Sequence, residues 1–173
     1  MRDCANIQRI RSLMELLGRR CNENVHVYFT GGATAIFFGW RENTIDVDIR
    51  LLPDSDAILR IIPAAKEELN LNIELACPSD FIPELPGWQG RSLFIEANGS
   101  VCFSHYDPYA QALAKIERGH SQDVEDIQSL LKSGLVRPER LLELFGQIEG
   151  LIYKYPAIDP KAFRRAVEDA VFK

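Results

Sequence analysis

The chain has 173 residues, 46% of them hydrophobic and 26% charged, and a formal net charge of -5. That balance fits one compact domain, or a domain with a helical appendage, and excludes global disorder. It also argues against binding nucleic acid through bulk charge, leaving only a local basic groove for that purpose. No apolar run approaches the roughly 20 residues of a membrane helix, and the N-terminus lacks a signal-peptide core. A cytoplasmic protein with no membrane partner is expected. Cys4, Cys21, Cys77 and Cys102 are scattered with no CxxC pair, which predicts buried reduced thiols rather than disulfides or zinc.

In chain order, Ile7, Ile10, Leu13, Met14 and Leu17 share one face of a helix over about 5–20. Val25, Val27 and Phe29 then alternate with His26, Tyr28 and Thr30, the period of a strand. Gly31-Gly32 opens a short apolar segment. From Thr44 to Leu51 a second strand places Ile45, Val47, Ile49 and Leu51 on one side and Thr44, Asp46, Asp48 and Arg50 on the other. Asp54 or Ser55 caps a helix over roughly 56–70, with a kink or restart expected at Pro63. LNIELA, residues 71–76, is a third strand with Leu71, Ile73 and Leu75 opposite Asn72 and Glu74.

CPSDFIPELPGWQG reads as a loop, in which Phe81 and Trp88 either pack or stack on a base. RSLFIEA and SVCFSH flank Asn98-Gly99, a hairpin signal. From Asp107 onward the pattern is helical, with helices near 108–118, 121–133, 138–154 and 160–171. Asp107-Pro108 and Asp159-Pro160 look like N-caps followed by proline. The fold class is therefore α+β: a mixed sheet flanked by helices over 1–105, then a helical bundle region over 106–173.

Asp46 and Asp48 carry the clearest chemical signal. Same-face strand residues lie roughly 6–7 Å apart at Cα. Two such carboxylates repel unless water or a shared cation sits between them, and magnesium takes one or two carboxylates plus substrate phosphates. Gly31-Gly32 between a strand and a helix lets backbone N–H groups approach phosphate oxygens. Its spacing is neither a P-loop nor a G-x-G-x-x-G fingerprint. A third carboxylate would complete a two-metal arrangement or act as base on an attacking hydroxyl. Glu74 is the first candidate and Glu96 the fallback. Lys115, Arg118, Asp123 and Asp126 fall one helical turn apart in pairs: either a surface ion-pair cluster or a lysine held by aspartate to meet phosphates. His26, His105 and His120 show no metal or nucleophile–base spacing and read as structural or solvent-facing.

GGATA followed by RENTIDVDI resembles the first two motifs of the AbiEii-like nucleotidyltransferases, within the polymerase-β-type superfamily. KIERGHSQDVED resembles their later lysine-and-aspartate motif, and the likeness extends over most of residues 25–136 as an uncharacterised bacterial branch. The resemblance implies a mixed sheet flanked by helices, with a helical C-terminal region against the catalytic cleft. It places metal-binding aspartates on Asp46 and Asp48. The nucleotide-binding glycine motif falls on Gly31, Gly32 and Thr34, and the later motif on Lys115, Asp123 and Asp126. Arg41 and Thr44 match the arginine and threonine before the aspartates, with two residues between them where many relatives have one. A serine common at the second glycine position is absent, so Gly32 offers only its backbone.

The function expected from this resemblance is magnesium- or manganese-dependent transfer of a nucleoside monophosphate from a nucleoside triphosphate to a hydroxyl. The acceptor would be RNA, such as a tRNA end, or a protein. Kinship also implies a toxin with a cognate antitoxin. A different class stays open: a non-catalytic nucleotide- or partner-binding module of a two-gene system.

Overall fold

The structure, a computed structural model, describes residues 2–173. It divides into a strand unit, residues 2–77 and 93–105, and a helical unit, residues 78–92 and 106–173. The segment 78–92, expected within the strand-rich part, thus belongs with the helices.

The strand unit runs α1 (Ile7–Arg20), β1 (Val25–Thr30), α2 (Gly32–Phe37), β2 (Asp46–Leu52), α3 (Asp56–Leu69), β3 (Asn72–Leu75), β4 (Leu93–Asn98) and β5 (Val101–His105). Its sheet order is β3-β2-β1-β5-β4. β2 pairs antiparallel with β1 and parallel with β3, and β5 pairs parallel with β1 and antiparallel with β4. One sheet face carries Val27, Phe29, Val47, Ile49, Ile73 and Phe103, which pack with Leu13, Met14 and Leu17 of α1 and Ile58 and Ile62 of α3. This is the main core, and removing its apolar surface from water at about 25 cal/mol per Å² drives the layering. The other face is polar.

Local chemistry fixes the element ends. Asn6 Oδ1 accepts from Arg9 N at 3.0 Å, and Ser55 Oγ accepts from Ile58 N at 3.2 Å. These bonds satisfy amides that the first helical turn leaves without partners. α3 continues through Pro63 without restarting. Pro63 is exposed, as is Leu59 four residues earlier, so water can satisfy the carbonyl that proline leaves unpaired. Two other expectations are corrected. Ile45 is 72% exposed, because β2 begins only after it and Thr44 is held in an isolated bridge to Ala5. Leu75 is 55% exposed, because β3 is a four-residue edge strand.

The helical unit contains α4 (Trp88–Arg91), α5 (Pro108–Arg118), α6 (Ser121–Lys132), α7 (Pro138–Ile148) and α8 (Pro160–Phe172), with 3-10 turns at Pro78–Asp80 and Glu149–Lys154. The helix anticipated over 138–154 therefore tightens at its C-terminal end. Asp107 caps α5 by accepting from Tyr109 N at 2.9 Å. The same carboxylate accepts from Arg91 Nε at 2.9 Å. Burial pushes Asp107 above the usual carboxylate range against the pull of that guanidinium. Trp88 is buried and stacks on Tyr106 at 4.5 Å, whereas Phe81 is 56% exposed and does not fill the core. All four cysteines are free thiols. Cys21 and Cys77 are buried as expected, but Cys4 is exposed and Cys102 half-buried. Among the described residues no helix is long and apolar enough to cross a membrane.

Candidate nucleotide and metal site

Burial alternates strictly along β2, with Val47, Ile49 and Leu51 buried and Asp46, Asp48 and Arg50 half-exposed on the polar face. Register then builds the site across strands. Asp48 lies opposite Thr30 of β1 on one side and Glu74 of β3 on the other, and Asp46 lies opposite Asn72. Paired residues of neighbouring strands share a face. The topology thus brings Asp46, Asp48 and Glu74 onto one surface, as their separate strand alternations suggested.

Gly31 follows Thr30 directly, with φ +64 and ψ -130, a backbone conformation suited to glycine. A Cβ there would lie 3.2 Å from Asp48 Oδ2, so the missing side chain keeps a space beside the carboxylate. Gly32 has a different reason for being glycine. A Cβ on it would stand 2.2 Å from Thr44 Oγ1 and 2.6 Å from Thr44 Cβ. Gly32 is buried, and its contact with Thr44 joins the start of α2 to the approach to β2. α2 has only six residues, so it carries little helix dipole with which to attract an anion.

Asn72 was not singled out from the sequence. Its amide Nδ2 donates to Asp46 Oδ1 in a short contact and to Glu74 Oε1 at 3.2 Å. One neutral amide therefore ties a β2 carboxylate to a β3 carboxylate. The signal that could have found it is its place two residues before Glu74 in LNIEL, on the same strand face.

Other expected binding residues have structural surroundings. Thr34 is buried, and its hydroxyl hydrogen-bonds His105 Nδ1 at 3.0 Å. His105 sits against Phe37 and Phe38 with ring centroids 5.2 and 5.0 Å away, and burial pushes its imidazole down to about 4. His26 hydrogen-bonds Ser104 at 2.7 Å and stacks on Tyr28, and burial lowers it too. Arg41 is half-buried.

Lys115, Asp123 and Asp126 belong to the helical unit. Lys115 Nζ lies 2.7 Å from Asp126 Oδ2 and 3.3 Å from Asp123 Oδ1. Arg118 clasps Asp123 through both Nε, at 2.8 Å, and Nη2, at 2.7 Å. The cluster is not a surface one: Lys115, Asp123 and Asp126 are all buried. Burial drives Asp123 upward, yet the Arg118 and Lys115 charges and hydrogen bonds outweigh it and hold the carboxyl below its ordinary value.

The Asp46–Asp48 pair offers hard oxygen donors, which suit magnesium or manganese. Among the described residues no group of three or more His, Cys, Asp or Glu side chains is arranged to hold a metal ion. Comparisons with protein-family models, with curated proteins and with solved structures each returned no match.

Proposed function

We propose that this chain is a metal-dependent nucleotidyltransferase, moving a nucleoside monophosphate from a nucleoside triphosphate to an acceptor hydroxyl. The observation that supports it best is the register of β1, β2 and β3. It aligns Asp48 between Thr30 and Glu74, with Asp46 two residues away on the same face and the Gly31 turn against Asp48.

Asp46 and Asp48 would hold the cation, magnesium or manganese. Bound there, it supplies Lewis-acid polarisation of the phosphoryl group and neutralises charge on the departing pyrophosphate. The Gly31 backbone, open where a side chain would crowd Asp48, would receive the triphosphate. Glu74, exposed on the edge strand, would accept the proton of the acceptor hydroxyl. The acceptor oxygen bonds to the α-phosphorus as the bond to the bridging oxygen breaks, and pyrophosphate leaves. Positioning and charge stabilisation provide the rate in such transfers. We assign the buried Lys115, Asp123 and Asp126 to holding the helical unit together, since they bond to one another.

The test is incubation with α-labelled ribonucleoside triphosphates, total RNA and a protein mixture. Label in RNA or label resisting ribonuclease on protein would identify the acceptor class, and both should vanish in Asp46→Ala and Asp48→Ala. Unchanged incorporation in either variant would overturn the assignment. Nucleotide binding without labelled product from any acceptor would mark a non-catalytic binding module.

A further inference from the structure

The uncharged side chain of Asn72 bonds to two of the three carboxylates proposed above, and it does so from a single nitrogen. Its backbone pairs with Asp46 in the β2–β3 register, so the amide reaches Asp46 sideways across the sheet. An amide nitrogen donates and cannot accept, which keeps an Asp46 lone pair engaged in a fixed direction. It also offsets repulsion between Asp46 and Glu74 without bringing a positive charge that would compete with a metal ion. A lysine or arginine at this position would fill the cation's place; asparagine leaves it open.

We propose that Asn72 is a positioning residue: its amide presets the Asp46 carboxylate for the divalent cation and holds Glu74 beside it. The inference rests on the nucleotidyltransferase reading and extends it to a residue outside the motifs that suggested it. Partners that orient a metal-ligating carboxylate are typically worth about 10–100-fold in metal affinity.

The test uses the full chain with Mn2+ and the α,β-methylene analogues of the four ribonucleoside triphosphates. Enhancement of water-proton relaxation reads protein-held Mn2+ independently of turnover. Asn72→Ala should weaken the protein-held Mn2+ about 10-fold or more. Asn72→Val, which favours the strand while removing the donor, should do the same with an unchanged melting temperature. Asn72→Gln, which keeps an amide donor on an edge strand with room for it, should recover most of the loss. Affinity within twofold of the parent in both Asn72→Ala and Asn72→Val, with Asp46→Ala abolishing binding, would overturn the role of Asn72 alone. Absence of bound Mn2+ in the parent protein would overturn the metal-site reading and this inference together.

Discussion

Among the aspartates of this chain, the pairs Asp46–Asp48 and Asp123–Asp126 have surroundings that differ in kind. Asp123 and Asp126 of α6 are buried and gripped by the cations Lys115 and Arg118. Asp46 and Asp48 of β2 are half-exposed, and Asp46 accepts from the neutral amide of Asn72. The same residue type therefore stands in two settings. Buried carboxylates matched by fixed cations are committed to structure, and on the reading proposed above the half-exposed pair of β2 would serve a further cation.

The sharpest way to break the contrast is to remove one carboxylate from the β2 pair. Asp46→Ala or Asp48→Ala should cut nucleotide transfer at least about 1000-fold, or about 4 kcal/mol in barrier, while urea unfolding moves little. Loss of stability comparable to the loss of activity would mean that β2 is a scaffold like α6. The converse variant is Lys115→Met, which leaves Asp123 and Asp126 buried with their shared cation gone. A cost of about 3–5 kcal/mol is expected, read by denaturation followed at Trp88. A cost under about 1 kcal/mol would show that the cluster does not hold the helical unit.

Acid should separate the two units next. Folding lowers His105 from 6.5 to about 4, so the unfolded chain binds the extra proton between those values and stability falls as pH drops through that window. The full effect is up to about 3 kcal/mol, and His26 contributes with the same sign. Asp123, lowered by its cations, keeps its contribution down to its ordinary value of 3.8 and loses it only as pH falls further. Asp107, raised by burial, gains on acidification instead. Each unit holds one of the two tryptophans, Trp40 and Trp88. With Trp88→Phe reporting on the strand unit and Trp40→Phe on the helical unit, the Trp40 signal should change at higher pH. Coincident transitions, or no response to His105→Gln, would contradict this order. The smallest effect concerns Ser55→Ala, which removes the α3 cap and should cost about 1 kcal/mol by thermal denaturation. No change in melting temperature would show that water replaces the cap without loss.

Much of this was legible locally. The alternation of Val47, Ile49 and Leu51 with Asp46, Asp48 and Arg50 matched β2, and Asn98-Gly99 marked the β4–β5 turn. Asp107 and Asp159 cap helices where Asp-Pro suggested they would. What escaped depends on pairing between distant segments. Asn72 matters through its cross-strand partner, and strand register is not written in either strand alone. Ile82, Leu85 and Trp88 are buried, but their irregular spacing among prolines gives no period to read, so the sequence predicts only a loop with some ordered apolar contacts over 77–90. The spacing of Lys115 and its aspartates leaves a surface cluster and a phosphate-facing lysine both open, because spacing does not show whether these charges are buried.

The strand order carries one more consequence, for motion. β2 is an interior strand, paired with β1 from Asp48 to Leu52 and with β3 from Asp46 to Ile49, whereas β3 is a short edge strand with one neighbour. Edge segments with few ladder bonds open more readily than interior ones, so amides of β3 should exchange with deuterium before those of β2. Asp48, paired on both sides, thus sits in the stiffer part of the sheet, Asp46 at its margin, and Glu74 on the looser edge. In the roles proposed above, a ligand for the cation would gain from being fixed, while a proton acceptor would meet acceptors that arrive and leave. The sheet grades its own stiffness across this face, firmest at Asp48 and yielding at Glu74.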